Sequence, residues 1–521
     1  MAAAPRTTLE SYWMQTTPPT SWPRLTEDIS VDVAVIGGGI AGLTAASEIK
    51  ARGQSVIVLE ADRVAAGVTG YTTAKLTALH TLKYGHIEKH FGGAGARIYA
   101  ESQQAAIDHI AAKVAAENID CDFESQSAYT YALGADEIEA IHAEVAAATR
   151  AGLAASFVSE VALPYDVAGA IRLDDQAQFH PRKYLLHLAA AVPGNGCAIY
   201  ERTRVLDVNE GSPCTVKTES AVVTAGQVIV ATHFPILDRA MLFTRLEPHR
   251  DVVVAGPIDA TEAPDGMYIS TEANTRSVRT APFGDGRRLL IVTGEPWKPG
   301  HETDVASRYA KLAAWTTEHF GVTDFTHRWS TQDNSTTDRV PYIGPLHAGA
   351  TNTYVATGFG GWGMSNGTLS GLILADLVAG TDNPWAALYD PRRVKPATEA
   401  KTFLAANFDV AKRFVGDRLK TSYADSVDEV AVGAGAVVRI DGEKVAVHRD
   451  DSGALHAVSA VCTHLGCIVA FNNAEKSWDC PCHGSRFDAD GAILQGPANA
   501  PLQAHLLQET TEGGAGRGTQ D

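Results

Sequence analysis

The chain has 521 residues, of which 45% are hydrophobic and 20% charged. At roughly 150 residues per domain, this is enough for about three folding units and a large core. Acids outnumber bases 61 to 43, and the net charge of -18 argues against a nucleic-acid binder or a protein held to anionic membrane by charge.

Residues 1–30 are polar and contain prolines, so an irregular arm is expected there. They lack the apolar stretch of a secretory signal, and no run approaches the ~20 apolar residues that span a bilayer. A soluble, cytoplasmic protein is expected. Residues 31–36 (VDVAVI), a glycine turn, a helically spaced segment 40–51 and residues 55–59 (SVIVL) read as a β-α-β unit with parallel strands. Alanine-rich segments 96–117 and 135–151 read as amphipathic helices. Short strands are expected at 205–208, 221–223 and 227–231. An antiparallel sheet is expected from 252–258, 267–280 and 288–293, and a helix at 365–378. One domain therefore spans 31–395, followed by a helical linker (396–424). Strands, glycine turns and a cysteine cluster then form a second domain (425–507). The tail 508–521 has nothing to bury and should be disordered.

Two constellations carry chemistry. In the first, Gly37, Gly39 and Gly42 supply G-x-G-x-x-G between a strand and a helix. The glycines allow a tight turn, close approach to a pyrophosphate and close helix–strand packing. The helix N-terminus offers N–H groups to phosphates. Glu60 ends the next strand, placed to accept from a ribose hydroxyl. A small-residue loop follows (AGVTGYTT, 66–73), and later come QVIVAT (227–232), PYIGP (341–345) and ATGFGGWGM (356–364). Together these resemble the glycine oxidase/D-amino-acid oxidase family of FAD-dependent oxidoreductases, over roughly residues 30–393. The resemblance implies an α/β, Rossmann-like FAD half made from discontinuous segments and an α+β substrate half. It implies FAD contacts from Thr69, Gly70 and Thr73 in the loop, Val205, and Gly358, Gly361, Trp362 and Gly363 in the late turn. Backbone amides of that turn would lie near a ring that gains negative charge on reduction.

The second constellation is VCTHLGC (461–467) and CPCHGS (480–485). Cys462-x-His464 and Cys480-x-x-His483 offer two thiolates and two imidazoles, which can hold zinc or a [2Fe–2S] cluster. The Cys-x-His spacing favours the cluster. With Gly496-Pro497-Ala498, this resembles the Rieske domain family over about 425–507, a small all-β domain. The resemblance implies that Cys462 and Cys480 bind one iron and His464 and His483 the other. It also implies a disulfide between Cys467 and Cys482, as in cytochrome bc-type members. Ser485 matches a hydroxyl donor of high-potential members, whereas Phe487 stands where they carry tyrosine. An intermediate value within the family range of about −150 to +300 mV is expected.

FAD takes two electrons as a hydride, and the cluster passes one at a time. The pair reads as a wire from a small-molecule substrate, through FAD and cluster, to an unknown one-electron acceptor or donor. The resemblance favours oxidation at a C–N bond of an amine or amino acid. Tyr268 and Arg279 are candidate substrate-site residues. Arg279 either pairs a substrate carboxylate or is a surface arginine. Two alternatives remain: an electron-transfer or redox-sensing module without turnover, and a reductase component. The single dinucleotide motif argues against direct NADH oxidation.

Overall fold

The computed structural model describes residues 9–237, 239–393 and 426–507. The expected linker (396–424) and tail (508–521) lie outside the described residues.

The strand Ile29–Ile36 runs parallel to Val56–Leu59 on one side and Val222–Val230 on the other. All four residues of Val56–Leu59 are buried, as are the last four of Ile29–Ile36. Strands covered on both faces read as unbroken apolar runs, which is how this unit is legible. Thr353–Thr357 extends the parallel sheet, and Tyr342–Pro345 closes its edge antiparallel. The helices Ile40–Ala51 and Gly363–Val378 pack against each other. Val222–Val230 is one strand where two were expected. Its ladder runs on through Gly226, pairing Ala225 with Val31 and Gln227 with Val33. A side chain at position 226 would meet the Asp32 carbonyl, so glycine here keeps two backbones close and breaks nothing.

A second sheet has nine strands. Leu246–Asp259 pairs antiparallel with both His327–Thr336 and Arg287–Trp297, and the latter with Ser277–Gly284. Residues 267–280 do not form one strand. Met267–Ser270 and Ser277–Gly284 are separated by a turn that Ser270 closes, exchanging hydrogen bonds with Arg276. Glu124–Ala132 and Gly169–Gln178 complete the sheet's other half. Alternation along Leu246–Asp259 sorts its faces. Val253 and Ala255 join the core between the two sheets, whereas Val252 and Val254 join the core under the helix Val305–Phe320. The same parity turns His249 and Asp251 toward the first sheet.

The arm is not loose. Tyr12–Gln15 forms a short helix capped by Ser11, and Trp13 is 1% exposed. Trp13 donates its indole N–H to the Thr72 carbonyl at 2.6 Å, and Ser11 donates to the Gly70 carbonyl at 2.5 Å. Burial of a large aromatic outweighs the polar composition and ties the arm to the 66–73 loop.

The C-terminal domain is all β: one sheet from Gly435–Ile440, Glu443–Arg449 and Leu455–Ser459, another of four short strands from Ala470–Asn472 to Ile493–Gln495. It docks on the edge of the nine-stranded sheet. Arg250 is 1% exposed and pairs with Glu475 at 2.9 Å and Asp479 at 3.3 Å. Arg486 pairs with both acids, and Ser330 joins Arg250 and Glu475. Gln332 donates to the Gly484 carbonyl at 3.0 Å.

Candidate functional site

A cavity of about 1040 Å³ opens between the two sheets and reaches the C-terminal domain. Gly37 and Gly39 line it at one end. Gly37 has φ +109°, and a Cβ there would collide with the Ala231 carbonyl. A Cβ on Gly42 would collide with the Gly37 carbonyl. The turn therefore presents bare backbone to the cavity. Glu60 accepts from the Gly38 N–H at 2.7 Å and the Asp62 N–H at 2.9 Å. Each oxygen keeps a lone pair for a ribose hydroxyl. Burial pushes this carboxyl above its usual range. Thr69, Thr73, Val205, Gly361, Trp362 and Gly363 also line the cavity.

Gly42, Gly70 and Gly358 do not line it. They hold the lining turns from behind, where a side chain would strike the Gly37 carbonyl, the Ala65 carbonyl and Thr336 respectively. In the late turn, Gly360 donates to the Asn334 carbonyl at 3.0 Å and Gly361 to the Asp333 carboxylate at 2.5 Å. Trp362 donates to the Phe359 carbonyl at 3.3 Å, so three amides of this turn are already engaged, those of Gly361 and Trp362 among them. Trp362 stacks on buried His80, with ring centroids 4.5 Å apart.

The two substrate-site candidates are placed otherwise than expected. Arg279 is 1% exposed and donates to the carbonyls of Thr73 at 3.0 Å and Ala74 at 2.7 Å. Its guanidinium also lies over Trp13. Those carbonyls occupy its Nη1, so it braces the small-residue loop and is not a surface residue. Tyr268 is buried, stacks on Tyr129 with centroids 4.7 Å apart, and donates its hydroxyl to the Asp265 carbonyl. Neither lines the cavity.

Lys75 does line it, one residue past the braced loop. Its amine donates to the Tyr268 carbonyl and to Ser277. Burial, then the Arg279 guanidinium, pushes this ammonium well below its usual range. In its neutral form this amine, donating to both, would keep one lone pair. Asp251, Asp333, His233 and His249 also line the cavity. Asp333 is tied to His233 at 3.3 Å. Burial pushes the Asp251 carboxyl up. The sequence signal for Lys75 was a lone lysine in TTAKLTAL, directly after the flavin loop. For Asp251 and Asp333 it was only acidic residues on strands.

In the C-terminal domain, two loops face each other. Cys462 N–H bonds the Cys467 carbonyl at 2.9 Å, and Cys480 N–H bonds the Ser485 carbonyl at 2.8 Å. The Cys467–Cys482 disulfide joins them. The Cys462 and Cys480 thiols are buried and each shifts the other's ionisation, and Ser485 adds to the effect on Cys462. The rings of His464 and His483 stand 5.0 Å apart at 90°. Both Nδ1 atoms are buried and lack a hydrogen-bond partner. Buried polar atoms are rarely left so, and two thiols with two orphaned imidazole nitrogens are the donor set of a mixed-ligand iron–sulfur cluster. Ser485 also accepts the Ala498 N–H at 3.0 Å, tying the Gly496-Pro497-Ala498 loop to the site.

The family model described as FAD dependent oxidoreductase matches residues 32–377, more than half of the chain. The chain belongs to this family. A model of the Rieske [2Fe-2S] domain matches residues 421–506. YhfW of Bacillus subtilis (strain 168), described as a Rieske 2Fe-2S iron-sulfur protein, is 36% identical over 496 residues, 95% of this chain and 97% of its own. Gamma-glutamylputrescine oxidoreductase of Escherichia coli (strain K12) is 25% identical over 373 residues, 68% of this chain and 85% of its own. The glycine oxidase structure from Geobacillus kaustophilus shares the fold, with a TM-score of 0.56 at 18% identity over 70% of this chain and 100% of that one. This FAD-dependent oxidoreductase therefore carries FAD and a Rieske [2Fe-2S] cluster. Among the described residues, no helix is long and apolar enough to cross a membrane.

The two sites of the oxidoreductase adjoin. Ala231, Thr232, His233 and Phe234 line the cavity. The Phe234 ring lies 6.0 Å from His483 and 6.4 Å from His464, and Phe243 lies 5.5 Å from His483. His483 is 3% exposed, and His464 remains partly exposed.

Proposed function

We propose that this oxidoreductase oxidises a C–N bond of a small amine or amino acid and passes the electrons singly through its Rieske cluster to a separate one-electron acceptor. The observation that carries this reading is the contact of Phe234 and Phe243 with the cluster's histidines, because the segment bearing Phe234 is also a wall of the flavin cavity. When bound, FAD supplies hydride acceptance and the cluster supplies one-electron exchange.

The chain's own residues do the rest. Gly37, Gly39 and Glu60 hold the dinucleotide by bare backbone and a ribose-facing carboxylate. Arg279 and Trp13 fix the loop that ends at Lys75. An amine gives up hydride from its α-carbon only when its nitrogen is neutral, and the Lys75 lone pair takes the proton that an ammonium substrate must lose. Asp251 and Asp333, which line the same cavity, favour a cationic group there. Cys462, Cys480, His464 and His483 hold the cluster. The half-exposed His464, beside exposed Val461 and Leu465, is the side offered to the acceptor. The polar lining residues Lys75, Ser277, Thr293 and Asp251 favour substrate turnover over the module without turnover, which needs an apolar, sealed flavin face. Relatives named for glycine and for gamma-glutamylputrescine point to amine nitrogen.

The test is anaerobic mixing with a panel of amines and amino acids, followed by visible and electron paramagnetic resonance (EPR) spectra. Flavin bleaching followed by the reduced-cluster signal is expected with at least one amine. A protein loaded with both cofactors that no amine reduces would contradict C–N oxidation.

A further inference from the structure

The charges around the cavity are unevenly matched. Four arginines line it, and each has an acid beside it. Arg63 pairs with Asp62 at 3.8 Å, Arg204 lies by Glu60, and Arg250 and Arg486 pair with Glu475 and Asp479. Asp333 in turn holds His233 and the Gly361 amide. Asp251 has no such partner. The charged and titratable groups around it are His249, Arg250 and Asp333, and none of them bonds its carboxylate. Part of its surface stays open. Asp251 shares the face of Leu246–Asp259 that carries Val253 and Ala255 into the core between the sheets, so it opens to the cavity.

Register fixes where this acid stands relative to Lys75. The Lys75 amine donates to Ser277. Ser277 pairs with Thr293, and Thr293 with Val253, two residues along from Asp251 on the same face. Two strand spacings and two residues put the Asp251 backbone roughly 12 Å from that of Ser277. One nitrogen bonded to two partners spans only about 6 Å between them, two hydrogen bonds of about 3 Å each. Chemistry also separates the two roles. An acid beside the reacting nitrogen favours its ammonium form, which cannot release hydride from the adjacent carbon. Lys75 suits the nitrogen that loses its proton, and Asp251 suits one that stays charged.

We propose that the substrate is an amine with a second cationic nitrogen several carbons from the first, and that Asp251 selects it by pairing with that second nitrogen. The inference rests on the amine oxidation proposed above and names its substrate class. Burial raises the Asp251 carboxyl, and an arriving ammonium supplies the bonded counter-charge that the fold does not.

The experiment uses the full chain with both cofactors, reduced beforehand so that no ligand is oxidised. Equilibrium dialysis gives dissociation constants for putrescine, butylamine and γ-aminobutyrate. These present the same short aliphatic amine and end in a cation, a methyl group and a carboxylate. Putrescine is expected to bind about tenfold tighter than butylamine, the scale of a hydrogen bond between charged groups, and γ-aminobutyrate more weakly than either. Asp251→Asn should remove the preference for putrescine, and Asp251→Glu, which keeps the charge, should retain most of it. Flavin absorbance and the EPR signal of the reduced cluster confirm that each variant is folded and loaded. Equal wild-type affinities for putrescine and butylamine, or a preference that survives in Asp251→Asn, would overturn the proposal. Because the reduced protein turns nothing over, selectivity is read apart from oxidation. Amine oxidation without the putrescine preference would sink this proposal alone, and the preference without any oxidation would sink the C–N reading alone.

Discussion

The dinucleotide site and the cluster site are built in opposite ways. The first works by what is missing: at Gly37 and Gly42 a single added carbon would strike backbone, so the cradle is main chain held close to main chain. The second works by what is present: four side-chain donors on two loops joined by a disulfide. A cradle of backbone can deform and still bind weakly. A ligand set with one member removed has no substitute. Between them lies a third kind of construction, the buried charges of Arg250, Glu475 and Asp479 across the domain boundary.

Mutations should separate these three regimes. The largest effect is expected from Cys480→Ser, which should abolish the cluster's EPR signal while FAD stays bound. Retention of a normal cluster would refute its assignment as a ligand. Lys75→Met should keep both cofactors and lower kcat/KM for amines by about 10²–10⁴ near neutral pH, as loss of a general base does. The deficit should shrink at alkaline pH, where the substrate is already neutral. A deficit unchanged with pH would assign Lys75 a packing role. Arg250→Ala leaves Glu475 and Asp479 to Arg486 alone and should cost about 3 kcal/mol, the low end for breaking a buried pair. Denaturant unfolding should then show the Rieske domain leaving before the flavin domain. A single unshifted transition would deny the clamp. Gly42→Ala should weaken FAD roughly 10- to 100-fold, the scale of an overpacked backbone contact, and leave the cluster untouched.

The smallest effect concerns acid. Burial alone would raise the Glu475 carboxyl, but Arg250 and Arg486 outweigh it and hold it at about 2, below its ordinary 4.5. Its pKa is lower folded than unfolded, so the stability it contributes is complete above about pH 4.5 and fades as pH falls toward 2. Glu475→Gln should flatten that part of the pH–stability curve.

What could be read from the sequence follows the same division. The cluster ligands fall between positions 462 and 483, and Glu60 follows Gly37 within one β-α-β unit, so local spacing carries them. The polar lining of the cavity draws Lys75, Asp251, Ser277 and Asp333 from separate strands, and only sheet register brings them together. Arg279 shows the limit most clearly. It is buried rather than on the surface, and carbonyls of the Thr73–Ala74 loop, distant in sequence, take up its Nη1. The buried arm has the same cause: Trp13 finds its partners around Thr72 and Arg279, not near itself in sequence. Val222–Val230 is one strand where strands at 221–223 and 227–231 are expected, because Gly226 lets the ladder run on close to the Asp32 backbone.

The central claim is that the two sites form one electron path within one molecule, through Phe234, Phe243 and the cluster histidines. The most direct test is anaerobic stopped-flow mixing with a reducing amine, following flavin absorbance, with freeze-quench EPR of the cluster. Cluster reduction is expected to follow flavin reduction with a first-order rate that does not change with protein concentration. A rate that rises in proportion to protein concentration, or a cluster that stays oxidised beside a reduced flavin, would contradict it.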